Sequence, residues 1–512
     1  MLLSLLSLAA LAAPALTVSP LTSGAPAGAS VNDLEPGERV VLIASVRGLG
    51  DGPCVGPVCV DLLSPVRVGA AVADGGGVAV VRFDVPGVPD GTAVAFQAVL
   101  QDRAAVTPPV PARVAGGGPP ATELALADAD AVLTGAVGDQ LGDVFTLTVQ
   151  DVHGVPTLLA TGSTRAVLVT DWQEGGDIDS LDTTSITHDA RISSHLAVTD
   201  LDGDGTDDAV YASSDDGVHV FADVPGGSLT LDDASGSLAH PLPGFGSSID
   251  VGGDTDGDGL GELLVCGGIV SAEVLLYRGG IVGAQDAGST AAAILHDTPC
   301  TSVAFVDDLN GDGFDDIAVG NGTGGDGIIA GEVMLFASPF DGDLDAADAI
   351  AVFNGDNFAL HGMMIEGAGD PNGDGVGDLW AQSPSGTLFL HDGSTRGLVD
   401  TDEGSIAWFE GGPDTGMAAT TGDVNGDGVD DAVFTRRDTG AYVVYGPLAG
   451  GYDLPDDANV VIEAPAGLFA GSSVGVGDAD GDGIDDVLVG AGQDDRAGPL
   501  AGSISIFSSS RF

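Results

Sequence analysis

The chain has 512 residues, 77 of them Asp or Glu and 14 Arg, with no Lys, and a formal net charge of −63. A polyanion of this strength repels nucleic acid, and without Lys there is no Schiff-base nucleophile, phosphate-loop Lys or Lys general base. Disorder is excluded by 44% hydrophobic residues, 82 Gly and a mean hydropathy of +0.27, which describe short apolar strands between tight turns. The acids are 66 Asp against 11 Glu, and Asp favours turns and hard-cation sites over helix or strand interiors.

Met1 to Ala13 is an unbroken run of Leu, Ala and Ser, closed by Pro14 and Ala15. The run is too short to stay in a bilayer as a helix, and its small residues suit cleavage near Ala15, so residues 1–15 are expected to be a signal peptide. It departs from the usual pattern in lacking a positive charge ahead of the apolar run. No later stretch reaches the length of a transmembrane segment, and a secreted, extracellular or cell-surface protein is expected. Four Cys fit an oxidising destination. Cys54 and Cys59 bracket a Pro/Gly turn and Cys266 and Cys300 are the other two; disulfides 54–59 and 266–300 are expected, since the spacings do not suit zinc.

Residues 16–114 contain β-like runs such as 39–44, 78–83 and 92–100, and a small β-sandwich is expected there. Thr107-Pro-Pro-Val-Pro111 and Gly116-Gly-Gly-Pro-Pro120 mark a boundary, with the linker placed at 115–120. Residues 16–118 hold nine acids and six Arg, so the rest of the chain carries 68 acids against eight Arg. The excess acid therefore belongs to 121–512.

That region is an internal repeat. Six nine-residue segments read Asp-x-[Asp/Asn]-Gly-Asp-Gly-x-x-[Asp/Glu], starting at Asp200, Asp254, Asp308, Asp370, Asp423 and Asp478, at intervals of 54, 54, 62, 53 and 55 residues. Such intervals hold about four short strands and their turns. A strand precedes and another follows each segment, as with 195–199 and 209–212, and a third comes after a Gly-rich turn, at 217–221, 332–336, 441–445 and 503–507. The segment Asp151 to Gly162 aligns as a seventh, degenerate loop, and 392 residues at 56 per unit give seven. The fold class expected is all-β, a seven-bladed β-propeller preceded by the small β-sandwich. The last blade lacks a fourth strand after Phe507, and Ala131-Val-Leu-Thr134 is expected to supply it, closing the ring.

Oxygens at loop positions 1, 3, 5 and 9 and the carbonyl of position 7 can converge on one hard cation, with Gly at 4 and 6 allowing the sharp turn. The expected ligands are Asp200, Asp202, Asp204, Thr206 and Asp208 in loop one; Asp254, Asp256, Asp258, Leu260 and Glu262 in loop two; and Asp308, Asn310, Asp312, Phe314 and Asp316 in loop three. Loop four offers Asp370, Asn372, Asp374, Val376 and Asp378; loop five Asp423, Asn425, Asp427, Val429 and Asp431; and loop six Asp478, Asp480, Asp482, Ile484 and Asp486. Calcium, about six ions, is the expected cofactor, because magnesium keeps several of its own waters. A helix–loop–helix calcium hand is excluded by the flanking strands and by the acid at position 9 instead of 12. Loops one, two and six present four carboxylates each, and by that count are expected to bind more tightly than loops three to five.

Residues 121–512 resemble the FG-GAP repeat family, the integrin-alpha-like seven-bladed propellers also found in bacterial exported proteins. The residues that carry the resemblance are the six loops, Gly244-Phe-Gly246, and the segments 469–478 and 487–492 around loop six. It implies calcium held mainly for structure and other surfaces used to bind proteins or glycans. The loop at 151 and most Phe-Gly signatures depart from the pattern.

Catalysis has little to recommend it. The eight His (153, 188, 195, 219, 240, 296, 361 and 391) are dispersed, no Gly-x-Ser-x-Gly or His-Glu-x-x-His occurs, and the adjacent pair Arg436-Arg437 reads as solvated charge. His195 and His219 fall on strands and are expected to be packed or hydrogen-bonded. A lectin-like carbohydrate binder would want aromatic platforms, and only Trp172, Trp380, Trp408 and five Tyr are present; the Trp residues are expected in the core. The expected function is a secreted, calcium-binding scaffold for cell adhesion or for binding an extracellular protein or glycan. A lectin-like binder and a propeller-based extracellular hydrolase or lyase are the alternatives.

Overall fold

In the computed structural model the described residues are 122–512, apart from 143–145, 171, 173–174, 179–180, 182, 189–193, 242, 269–271, 326–329, 341, 356–358, 373–375, 384–386, 402–403, 412–414, 437–438, 466 and 469, preceded by 16–18, 21–22, 26–31, 34, 39–45, 54–55, 58–59, 66–72, 79–84, 93–100, 105–107 and 110–115. The expected signal peptide, 1–15, and the Gly/Pro stretch 116–120 lie outside them. Nearly all the regular structure is β, and the chain divides into two compact units, one carrying the strands up to residue 115 and one carrying those from 122 onward.

The first unit has two principal sheets. Leu16–Val18, Pro26–Val31 and Ala79–Asp84 form the smaller, and the larger is built on Arg39–Ser45 between Val66–Val72 and Ala93–Leu100. In Arg39–Ser45 the alternation of Val40, Leu42 and Ala44 turns one face inward. These three join Ala29, Val31, Ala79 and Val81 of the smaller sheet and Phe96, Ala98 and Leu100 of the larger in one apolar cluster. The Pro-rich stretch 107–111, expected at the boundary, lies within this unit instead. Val110–Ala115 pairs with Ala93–Leu100, with Pro111 opposite Ala95. Cys54 and Cys59 face each other in a two-stranded ladder, and their side chains lie outside what is described.

Among the described residues the second unit contains seven five-stranded sheets. Six follow one plan. In the sheet of loop one, Ser194–Thr199, Asp208–Ser213, Gly217–Phe221 and Gly236–Ala239 run antiparallel, one after the next. In the sheets that carry the six loops the second strand is buried on both faces, as in Asp208–Ser213 and Asp316–Asn321, which explains its continuous apolar character. Expected third strands at 217–221, 332–336 and 503–507 are found within the same bounds.

The fifth strand departs from the expected four. Between its third and fourth strands each sheet sends a short segment to pair in parallel outside the fourth strand of the preceding sheet: Gly227–Thr230 on Thr183–Thr187, Gly283–Asp286 on Gly236–Ala239, Gly397–Asp400 on Ala351–Asn354. Each sheet thus covers the outer edge of its predecessor. The seventh sheet draws on both ends of the unit: Ala131–Thr134 pairs antiparallel with Ser503–Phe507, Thr134 opposite Ser503.

The innermost strands are hydrogen-bonded from sheet to sheet. Thr148 donates to Val476 O at 3.5 Å and Leu196 N to Thr146 Oγ1 at 3.1 Å. His195 Nε2 pairs with Ser247 O at 2.9 Å, Phe305 N with Asp250 Oδ2 at 2.8 Å, Ser302 with Gly362 O at 3.1 Å, and Thr421 with Ala368 O at 2.8 Å. The degenerate loop after Asp151 is a tight hairpin. Val152 pairs with Val155, and His153 and Gly154 turn the chain with φ of 54° and 79°, the positive pair a two-residue hairpin requires.

Candidate metal centre

Each loop joins the first and second strands of its sheet, and loops one, two, three, five and six are organised by the Asp at position 1. In loop six, Asp478 Oδ1 accepts from Gly481 N at 2.7 Å and Oδ2 from Gly483 N at 2.9 Å. Asp200 takes Gly203 and Gly205, Asp254 takes Gly257 and Gly259, and Asp308 takes Gly311 and Gly313 in the same manner. Gly481 and Gly483 have φ of 78° and 87°, a backbone that side chains with a Cβ rarely adopt. Position 5 accepts the N–H of position 7, as from Leu260 to Asp258 and from Ile484 to Asp482, both at 2.9 Å.

The acid at position 9 opens the second strand, or in Glu262 directly precedes it, and is buried at Asp208, Glu262, Asp316, Asp378, Asp431 and Asp486. One oxygen accepts the position-2 N–H, at 3.2 Å in Asp208 and 3.1 Å in Asp486. The other accepts an N–H just past the third strand, from Asp223 at 3.0 Å and Ser509 at 2.8 Å. Burial pushes Asp316 and Asp486 up to about 6 and Asp431 up to about 7, the acids at positions 3, 5 or 1 of the same loops adding to the upward shift. Asp208 and Glu262 are also raised, chiefly by burial.

These ties bring carboxylates together. Asp200, Asp202 and Asp208 in loop one, and Asp478, Asp480 and Asp486 in loop six, each offer an oxygen within 4.8 Å of the others, as do Asp254, Asp256 and Asp258 in loop two. One hard cation can touch all three oxygens at that spacing. In loops three and five the Asn at position 3 turns its amide on an acid of its own loop: Asn310 donates to Asp312 at 3.0 Å and Asn425 to both oxygens of Asp431, at 3.1 and 3.0 Å. Asp374 of loop four lies outside the described residues; Asn372 and Asp378 of that loop are buried.

Position 8 has a role that the spacing of ligands does not reveal. Asp315 Oδ2 accepts from Asp254 N at 2.9 Å while its own N–H donates to Asp254 O at 3.0 Å. Asp485 holds Asp423 in the same reciprocal way at 3.0 and 3.1 Å, and Asp207 holds His153. The position-8 Asp is therefore a clasp between successive sheets. It needs room, and the residue just before the preceding loop supplies it: a Cβ on Gly422 would lie 2.5 Å from Asp485 Oδ2, and one on Gly369 3.0 Å from Asp430 Oδ2. Where position 8 is Gly the roles reverse. A Cβ on Gly377 would lie 2.6 Å from the Cβ of Asp307, and one on Gly261 would strike Thr199.

Elsewhere, Cys266 and Cys300 form the expected disulfide, with Cα atoms 5.8 Å apart. His219 Nε2 lies 3.1 Å from Asp216 O, and burial pushes His195 down to about 4, so it is neutral. His361 and His391, thirty residues apart, meet with Nε2 atoms at 2.8 Å in full burial, which pushes His361 down to about 3. Trp172 and Trp380 are core residues, but Trp408 is 38% exposed and lies against Gly451, where a Cβ would be 2.8 Å from the indole. Arg436 sits over the Tyr442 ring at 5.5 Å instead of standing free in solvent; Arg437 is outside the described residues.

The repeated sheets and their acid-rich loops define an all-β repeat protein of propeller type. Residues 470–507, which carry loop six with the strands around it, match the FG-GAP repeat. No curated protein matches the chain. Among solved structures it is similar to BBS1N in complex with ARL6DN, at 12% identity over 61% of this chain and 90% of that one with a TM-score of 0.31. It is also similar to the tetra-tandem repeat in the extending region of a large adhesion protein, at 13% identity over 97% and 100% with a TM-score of 0.14. At these scores neither likeness bears on function.

Proposed function

We propose that the protein is a secreted, calcium-stapled, seven-bladed propeller that serves as a binding scaffold for an extracellular protein or glycan. The observation that carries the calcium reading is the convergence of carboxylates at positions 1, 3 and 9 of loops one and six, held in place by backbone N–H groups. Three anionic oxygens within 4.8 Å of one another repel by about 1–4 kcal/mol per pair between the dielectric of bulk water and that of a protein surface, and a divalent cation offsets that cost. Asp200, Asp202 and Asp208, and Asp478, Asp480 and Asp486, would hold it, the loops supplying further oxygens from positions 5 and 7. When bound, calcium supplies charge neutralisation and local rigidity. Seven sheets with inner strands linked in sequence, the last completed by Ala131–Thr134, support the closed ring. The Cys266–Cys300 disulfide supports an oxidising compartment. No helix among the described residues is long and apolar enough to cross a membrane.

The scaffold reading rests on the FG-GAP repeat at 470–507. Two measurements test the proposal. Thermal melting with calcium and with chelator should differ clearly, and coincident curves would refute calcium. An array of extracellular proteins and glycans, run beside a broad hydrolase and lyase panel, should yield a binder; turnover without binding would replace the scaffold by an enzyme.

A further inference from the structure

Loop two departs from the other loops in one respect. Elsewhere the residue two past the third strand gives its backbone N–H to the position-9 carboxylate: Asp223 to Asp208, Ser338 to Asp316, Gly393 to Asp378, Gly446 to Asp431 and Ser509 to Asp486, at 3.0, 2.7, 3.3, 2.9 and 2.8 Å. In loop two a side chain takes this place. Arg278, directly after the third strand Val274–Tyr277, donates from Nε to Glu262 Oε1 at 3.0 Å. The same Nε lies 3.2 Å from Asp256 Oδ2, and the guanidinium reaches Thr255 Oγ1 at 3.4 Å. Glu262 is 3% exposed and Arg278 28%, so the pair is largely withdrawn from water, where a charge-assisted hydrogen bond is stronger than at an open surface.

The carboxylate geometry follows this contact. Loops one and six gather positions 1, 3 and 9, whereas loop two gathers positions 1, 3 and 5, without Glu262. Only eight Arg face 68 acids in this part of the chain; Arg396 reaches the backbone carbonyl of Leu309 in loop three, whereas Arg278 reaches the carboxylates of loop two. We propose that Arg278 is a permanent, tethered counter-cation for loop two: it keeps this loop ordered when calcium is removed and makes it a weaker calcium site than loops one and six. The first half stands on the contacts alone; the second rests on the calcium reading. A guanidinium fixed by the chain cannot be chelated, and it repels an incoming divalent cation that shares Asp256 with it. The ranking by carboxylate number, which puts loop two beside loops one and six, thereby fails for loop two.

Amide hydrogen exchange on the full chain, in chelator and in calcium, tests this. The reporters are the N–H groups of Gly257, Gly259 and Leu260 in loop two, with Gly203 and Gly205 in loop one and Gly481 and Gly483 in loop six as references. In chelator, loop two should exchange about tenfold or more slowly than the references, and Arg278→Gln should abolish the difference. Arg278→Lys, which keeps a tethered cation, should retain part of the protection and also serves should the Gln variant not fold. Calcium should restore loop two in Arg278→Gln at lower concentration than it acts on loop two of the parent. Unchanged protection in chelator for Arg278→Gln, or loss in Arg278→Lys down to the reference loops, overturns the proposal. If calcium protects no loop in any of the proteins while Arg278→Gln still loses its protection in chelator, the calcium reading falls and the counter-cation remains.

Discussion

Two populations of aspartate occupy the second unit, and they do different work with one functional group. The loop aspartates converge, so that each cluster of carboxylates carries charge its own backbone donors do not cancel. The aspartates of the outer rim are spread out, one at each of four fifth strands among the described residues. After the fifth strands, Asp128 accepts from Ala125 N at 2.8 Å, Asp233 from Thr230 N at 2.8 Å, Asp348 from Asp345 N at 2.9 Å and Asp457 from Asp453 N at 2.7 Å. Three of these close a single turn of 3₁₀ helix by accepting the backbone N–H of the residue that opens it. Asp128, Asp233 and Asp348 are exposed and Asp457 is half-buried, each accepting one of these backbone N–H groups. A high count of acid is thus a poor guide to metal; what distinguishes the loops is convergence, and the Gly pair that folds the chain around it.

The contrast can be broken experimentally, and the widest gap should open on removing calcium. Each site held at a hundred times its dissociation constant contributes about 2.7 kcal/mol, so chelation should lower the melting temperature strongly, with loss of protection in loops one and six and none at the rim turns. Asp486→Asn should come next. The carboxylate is fully buried and takes backbone N–H groups from Ala479, Asp480 and Ser509, so replacing one acceptor oxygen by an NH2 should cost about 1–3 kcal/mol even in chelator, together with loss of calcium from loop six by titration. A similar or smaller penalty should follow Gly377→Ala, about 1–3 kcal/mol from overpacking against Asp307, and Asp307→Gly in the same chain should return most of it. Denaturant unfolding of the single and double variants decides this; strictly additive losses would refute the exchange. Smallest is Asp348→Ala at the rim, about 0.5–1 kcal/mol for a lost cap, equal in calcium and in chelator.

The sequence displays the strands that alternate or run apolar, and it displays the loops, because six repeats of one pattern in register leave little freedom. The third strands 217–221, 332–336 and 503–507 and the closing strand 131–134 are legible for this reason. The fifth strands are not. Gly176–Asp177 and Gly283–Asp286 carry no hydrophobic alternation and are strands only because a neighbouring sheet offers an edge. The clasp at position 8 lies between. Gly253, Gly369 and Gly422 precede loops whose successors carry Asp315, Asp430 and Asp485, whereas Thr199 and Asp307 precede loops followed by Gly261 and Gly377. That reciprocity is written in the repeats, but its meaning needs the contact between sheets. Arg278 had no signal at all: a lone Arg sixteen residues after Glu262 in sequence reaches it only because adjacent strands fold it back.

The pairing of Ala131–Thr134 with Ser503–Phe507 has a kinetic consequence. Ser508 donates to Asp130 across 378 residues of chain, and Arg511 binds the same carboxylate. As the polypeptide is made, the strand at 131 must wait as an unpaired edge until Ser503–Phe507 has appeared. So high a contact order makes the final sheet slow to assemble, and a chain truncated before Ser503 would expose two edges open to pairing with another molecule. Quality control during synthesis therefore bears most heavily on the segment Ser503–Phe507, which of the acid-rich loops adjoins loop six.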